Sequence, residues 1–188
     1  MNIKYYCIPG RMLLASNEGL LSHCIELYSN HYGIWGDQGA HPGEHVKLSR
    51  ARLEPWLDSD SATLYYALLE EQLIGYAIAV RARSKNFGVI SWVTQLVVHS
   101  DYRNQGIAKN LLFSIWGFST DDVWGIVSSS PYAIRALEKA TRRRATPVRI
   151  KKNLARLKNI GKEYVPYIDD GTEVIIDENH CQVNTPFL

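Results

Sequence analysis

The sequence predicts an α/β chain: a mixed, mostly antiparallel sheet flanked by helices. Three observations predict it. Residues 63–69, 73–83 and 89–98 are runs dense in β-branched and aromatic residues, joined by short links, the pattern of an antiparallel meander. Ile107, Leu111, Leu112, Ile115 and Phe118 then repeat at the period of an amphipathic helix. Behind that helix come a short run, 123–127, and a second helix opened by Ser130-Pro131. This strand–helix–strand–helix order implies locally parallel pairing.

Length and composition bound the rest. A chain of 188 residues suits one domain. Residues 1–188 are taken as that domain, with 142–188 as an extension. Hydrophobic residues make up 46% and charged residues 21%, which excludes disorder, collagen and a coiled coil. No 18-residue apolar run is present, so no transmembrane helix and no membrane partner are expected. Lys4 is followed by no sustained apolar block before Arg11, so no secretory signal is read and a cytoplasmic location is expected. Cys7, Cys24 and Cys181 are widely spaced without a CxxC, which fits free, buried thiols and no metal site.

The elements follow in order. The first sixty residues read as helices and loops. Asn17 caps a helix over 18–30, with Leu20, Leu21, Cys24, Ile25 and Tyr28 on one face. Residues 31–44 hold Gly33, Gly36, Gly39, Pro42 and Gly43 and read as a loop. Ser49 caps a short helix ending near Pro55. Glu70-Glu71-Gln72 is a charged hairpin tip, and Asn86-Phe87-Gly88 turns into the third run. After 130–141 come a basic helix near 151–162 and two short strands, 173–176 and 181–184.

The junction between the third run and its helix carries the chemistry. It reads Leu96-Val97-Val98-His99-Ser100-Asp101-Tyr102-Arg103-Asn104-Gln105-Gly106-Ile107-Ala108. A helix N-terminus presents unsatisfied amides and a positive dipole end, a ready site for phosphate. Gly106 lets backbone approach a ligand, Ala108 is small, and Arg103 adds a positive charge. The same features also suit an ordinary strand-to-helix turn. Arg103-Asn104-Gln105-Gly106-Ile107-Ala108 resembles the acyl-CoA pyrophosphate motif [QR]-x-x-G-x-[GA] of the GNAT acetyltransferase superfamily, and Val98-His99-Ser100-Asp101-Tyr102 resembles its lead-in. The similarity covers about 62–141 well and the N-terminal region loosely. The chain has neither the Gly-Lys-Ser/Thr of a P-loop nor GxGxxG.

The resemblance implies a sheet splayed between its fourth and fifth strands, here 89–98 and 123–127, with acetyl-CoA as co-substrate in the splay. It implies a pantetheine arm bonded to the backbone of Leu96, Val97 and Val98. The pyrophosphate would lie on the amides of Gln105, Gly106, Ile107 and Ala108, beside Arg103 and Asn104. By the same analogy, the Val97 amide would serve the thioester oxygen. The family's usual asparagine and tyrosine after the fifth strand correspond to Ser130 and Leu137, both departures. Ser130 is kept as a cofactor contact, and Tyr132, in the first helical turn, becomes the candidate acid for the leaving thiolate. Acyl transfer also needs the amine deprotonated. Residues 89–98 contain no ionisable side chain; Trp92, Thr94 and Gln95 stand at the expected positions. His31, His41, Glu44, His45 or a water relay remain for that role, while His99 reads as structural.

For the acceptor, Tyr28, His31, Tyr32 and Trp35 concentrate beside the glycine-rich loop, as one wall of an amine pocket or as core plugs. Charge is segregated: residues 1–141 net −1, 142–162 net +9 and 163–188 net −6. The basic stretch is a solvated helix face, a site for the 3′-phosphate of coenzyme A, or an RNA or acidic-protein contact, unless the acidic stretch neutralises it. The apolar ending Thr185-Pro186-Phe187-Leu188 suggests a homodimer contact or a piece of a longer chain. The reading is an N-acetyltransferase acting directly on a primary amine. The alternatives are a non-catalytic acyl-CoA-binding module and an acetyltransferase for an RNA-linked amine.

Overall fold

The structure is a computed structural model that describes residues 2–37, 39–126, 128, 130–164, 168, 173–176 and 181–184. The chain divides into two compact units, Met1–Val127 and Ser128–Leu188.

The first unit is built on one sheet. Strands β1 (Ile3–Pro9), β2 (Ala62–Leu69), β3 (Gln72–Ser84), β4 (Gly88–Val98) and β5 (Val123–Ile126) lie side by side in chain order. The first four pair antiparallel, whereas β5 joins β4 in parallel. Helices α1 (Gly10–Ser16), α2 (Glu18–His31) and α3 (Arg50–Leu57) precede β2, and α4 (Ile107–Trp116) connects β4 to β5. A core of Leu13, Leu21, Cys24, Leu53, Leu57, Leu64, Tyr76, Ile78 and Val97 fills the space between α1–α3 and the sheet. On the opposite face Ile107 and Leu111 of α4 lie against Gly75, where any added Cβ would meet Ile107 at 3.0 Å. Trp116 anchors the far end of α4, its indole N–H donating to Ser91 at 3.0 Å.

The meander, the crossover helix and the capped helices match the expectation from sequence. Asn17 accepts from the Leu20 amide at 3.0 Å, and Ser49 accepts from that of Arg52 at 3.3 Å. Three N-terminal details differ. The first sixty residues also contain β1 and α1. β1 is an edge strand whose positions are all exposed or half-buried, so its alternation is too shallow to read. α1 is only seven residues long and buries Gly10 and Leu13 alone. The third difference is α3, which runs through Pro55 to Leu57. Leu53 and Leu57 stand four apart and are fully buried, and the Asp58 amide still reaches the Glu54 carbonyl at 2.9 Å. Cys24 is buried as expected, and burial pushes its thiol up to about 12; Cys7, on the edge strand, is exposed.

Two features of β4 shape the site. Opposite β3, Ile78 faces Gln95 and Ala79 faces Val93, so Thr94 is an extra residue: a β-bulge. Opposite β5, pairing covers Ile90 to Val93 and stops. The two strands are joined over Ile90 to Val93, and the pairing ends before the bulge residue Thr94. The joined end is pinned by the corner before β5. The Asp122 carboxylate accepts from the Val89 amide at 2.8 Å, and the Asp122 amide donates to the Val89 carbonyl at the same distance. Asp121, buried, takes a two-pronged ion pair from Arg81 of β3, with a shortest distance of 2.7 Å.

The second unit contains α5 (Pro131–Thr141), α6 (Pro147–Lys152), α7 (Leu154–Tyr164) and a two-stranded antiparallel sheet of β6 (Glu173–Ile176) and β7 (Cys181–Asn184). The basic stretch forms two helices rather than one, broken at Asn153, whose amide closes back on Ile150 at 3.0 Å. Arg142 ends α5 in the left-handed region, φ 55°, and Glu138 takes bonds from Arg144 and from the Ala145 amide at 3.1 and 3.0 Å. The contact expected at Thr185–Leu188, and most of the acidic stretch, lie outside the described residues.

Candidate functional site

Beyond Val93, no described strand pairs with the β5 side of β4. The His99 amide donates to the Ile74 carbonyl at 3.0 Å, and hydrogen-bonded residues in an antiparallel ladder alternate. The amide of Val97, opposite Tyr76, therefore points into β3, while those of Leu96 and Val98 face the cleft. The sequence reading gave the thioester-facing role to Val97. The ladder instead commits that amide to Tyr76 and leaves its two neighbours available. Arg103 fits the same parity, donating through Nε to the outward Val98 carbonyl at 3.3 Å.

The edge leads directly into the phosphate-type turn. Residues 100–102 make one 3-10 turn, Asn104 and Gly106 both have positive φ (63° and 83°), and α4 begins at Ile107. Gly106 is required by conformation rather than by crowding, because a Cβ placed there would meet nothing within 4 Å. That open space lies before the first turn of α4, whose amides have no acceptor within the helix. The turn holds no acidic residue after Asp101, and none occurs in the first turn of α4. Open space, a positive dipole end and Arg103 fit a diphosphate.

The end of α2 is tied to this turn. His31 Nδ1 lies 3.1 Å from Ser100 Oγ and accepts from the Ser100 amide at 3.3 Å. Its ring packs on that of His99, with centroids 3.8 Å apart, and Arg103 also donates to the His31 carbonyl. Accepting at Nδ1 requires that nitrogen to be unprotonated. Burial, then His99 and Arg103, holds the imidazole below its ordinary pKa. His31, expected at the acceptor, is thus bonded to the turn that precedes α4.

Of the other acceptor candidates, Tyr28 and Tyr32 stack with centroids 4.1 Å apart, and burial pushes the Tyr32 phenol up. Trp35 is elsewhere: it packs on Gly39 and meets His41 edge-on within its own loop. His45 bridges Ile34 in that loop. Ser130 and Tyr132 belong to the second unit. Ser130 caps α5 through its backbone alone, and Tyr132 is 72% exposed. Sequence reasoning named Gln95 only as a residue unable to take a proton and passed over its partner, Tyr76. The Tyr76 hydroxyl donates to Gln95 Oε1 at 2.9 Å, and both side chains are buried. A glutamine inside a buried strand whose other polar residues are the small Ser91 and Thr94 was the available signal.

Comparison with known proteins agrees with this geometry. Residues 25–139 match the model of the acetyltransferase (GNAT) family. A mycothiol acetyltransferase of Paenarthrobacter aurescens (strain TC1) is 40% identical over 80 residues, 43% of this chain and 21% of that protein. The match thus spans about a fifth of that relative's length. The aminoglycoside acetyltransferase meta-AAC0020, from an uncultured soil metagenomic sample and solved with trehalose, superposes with a TM-score of 0.53 at 16% identity. The match covers 75% of this chain and 88% of that one. AAC(6')-Iy, solved with the bisubstrate analog CoA-S-monomethyl-acetylneamine, gives 0.50 at 17% identity over 75% and 90%. With the bulged strand and the turn at Gly106 in place, the chain belongs to the GNAT family of acetyltransferases, whose co-substrate is acetyl-CoA.

Proposed function

We propose that the protein is an N-acetyltransferase that moves the acetyl group of acetyl-CoA directly to a primary amine. The observation that carries this reading is the continuity of the β4 edge beyond Val93, 94–98, with the open turn at Gly106. A pantetheine arm would take the place of a strand against Leu96 and Val98. The diphosphate would lie on the amides of Gln105 to Ala108. In the reaction the amine nitrogen bonds to the thioester carbon, the C–S bond breaks, the nitrogen loses a proton and the departing thiolate gains one. Among the β4 side chains none ionises, so the base lies off the strand, at His41, Glu44, His45 or a water. Tyr132 is proposed as the acid. The relatives support an amine acceptor, an aminoglycoside or a mycothiol-type compound being the two classes their names suggest.

Calorimetric titration with acetyl-CoA tests the cofactor half. Gly106→Trp is expected to weaken binding at least about tenfold in a folded protein, and unchanged affinity would remove the phosphate assignment. Release of free thiol across a panel of amino sugars, amino acids, peptides and aminoacyl-tRNA tests the transfer. Silence across the panel with binding retained favours the non-catalytic module.

A further inference from the structure

The Tyr76–Gln95 pair leaves a donor unused. Gln95 is 4% exposed, and its Nε2 has no partner among the described residues, while its Oε1 is held by the Tyr76 hydroxyl. Tyr76 is fully buried, so the amide is fixed in direction. A buried donor left unpaired carries its full desolvation cost, which a bound ligand oxygen would remove. The bulge at Thr94 decides where this donor points. Gln95 lies opposite Ile78 and Trp92 opposite Val80, two residues apart on β3, so both side chains share one face. An unbulged strand would send them to opposite faces. The shared face is the one packed by α2, since Ile78 and Tyr76 belong to that core. Among the described residues, the Trp92 N–H is a second buried donor without a partner, at 5% exposure.

We infer that Gln95 is a specificity-determining residue that donates a hydrogen bond to a neutral oxygen on the acceptor, a hydroxyl or carbonyl next to the reacting amine. This deepens the acetyl-transfer reading and rests on it. Two arguments select an acceptor oxygen over the thioester oxygen. The cofactor line follows the strand edge, in the plane of the sheet, where the Leu96 and Val98 amides face. The Gln95 side chain stands out of that plane, on the side of Tyr28 and Tyr32. Tyr28 packs against the core to which Tyr76 belongs, and Tyr32 stacks on Tyr28. The group is neutral because Tyr28, Tyr32, Tyr76, Trp92 and Gln95 offer no cation to a carboxylate or phosphate. The oxygen is close to the nitrogen because Gln95 sits between Thr94 and Leu96, where the thioester end of the cofactor would stop. The substrate class is therefore a vicinal amino alcohol or α-amino carbonyl compound, with the Trp92 N–H available to a second oxygen.

The test uses the full chain with two amines of matched shape, trans-2-aminocyclohexanol and cyclohexylamine. Thiol release gives kcat/KM for each, and nuclear magnetic resonance follows the Gln95 side-chain amide, assigned by its loss in Gln95→Leu. Wild type is expected to prefer the hydroxylated amine about tenfold, the worth of one good hydrogen bond. The Gln95 amide signals should move with that amine and not with its analogue. Gln95→Leu and Gln95→Glu should both erase the preference while acetyl-CoA affinity stays unchanged. Tyr76→Phe, which keeps the ring, should reduce it. Equal losses for both amines in Gln95→Leu, a preference that survives it, or amide signals that ignore both amines would each overturn the inference. Wild type that fails to bind acetyl-CoA would instead overturn the acetyl-transfer reading itself.

Discussion

At Gly106 the backbone is left-handed in open space, so two substitutions should separate conformation from access. Gly106→Ala adds a Cβ that touches nothing but forces an L side chain to φ 83°, at a cost of about 1–2 kcal/mol. Chemical denaturation should show that loss while acetyl-CoA affinity changes little beside the loss in Gly106→Trp. His31 is the other residue with a directional consequence. Its folded pKa lies below its ordinary value, so the unfolded chain binds the proton more readily. Its contribution is complete above the ordinary histidine range and is lost as pH falls from there through the folded pKa. Denaturation midpoints between about pH 8 and 5 should fall on the acid side, and His31→Phe, which does not titrate, should flatten that slope. An unaltered slope would mean that other groups carry it.

Strands and helices take their positions from a few such residues. At the joined end of the sheet, burial pushes the Asp121 carboxyl up, but the bonds from Arg81 and Ser119 outweigh it and hold the group below the usual carboxylate range. Asp121→Ala would leave β5 without its tie to β3, and a loss of about 1.5–3 kcal/mol is expected by denaturation, as for a hydrogen bond to a charged group. The exposed Arg81 end tempers that figure toward its lower bound. Most elements were legible in the sequence because their signals are local. Asn17, Ser49 and Ser130-Pro131 mark helix starts, and 63–98 has strand composition with short links. The bulge could not be placed from the sequence. It is a mismatch of register between β3 and β4, and no single residue announces it: Thr94 looks like any β-branched strand residue. For the same reason the facing of Gln95, and the choice of Leu96 and Val98 over Val97 at the edge, had to come from the ladder.

Across the whole molecule, the family match at 25–139 crosses the division at Val127 and ends inside α5. The cofactor edge and turn belong to the first unit, and the basic helices to the second. Arg149, Lys151 and Lys152 are exposed at the end of α6, where cations favour the helix dipole. Their replacement by Gln should leave acetyl-CoA affinity within about twofold, as expected for a solvated charge run. A larger loss, growing at low ionic strength, would assign them to a phosphate. The motif at Arg103–Ala108 was readable because it compresses a whole turn into six residues. The proposed acceptor side was only half readable: Tyr28 and Tyr32 stood out together, whereas Tyr76 of β3 and Gln95 of β4 join them from far along the sequence.

A strand that is zipped to its parallel neighbour along only part of its length behaves like a sheet awaiting one more member. Hydrogen–deuterium exchange would record that as an odd–even signature. Val97, shielded by β3, should exchange slowly with or without cofactor. Leu96 and Val98, whose amides face away from β3, should slow only when acetyl-CoA is added. One ligand would thereby complete the ladder that the fold leaves unfinished.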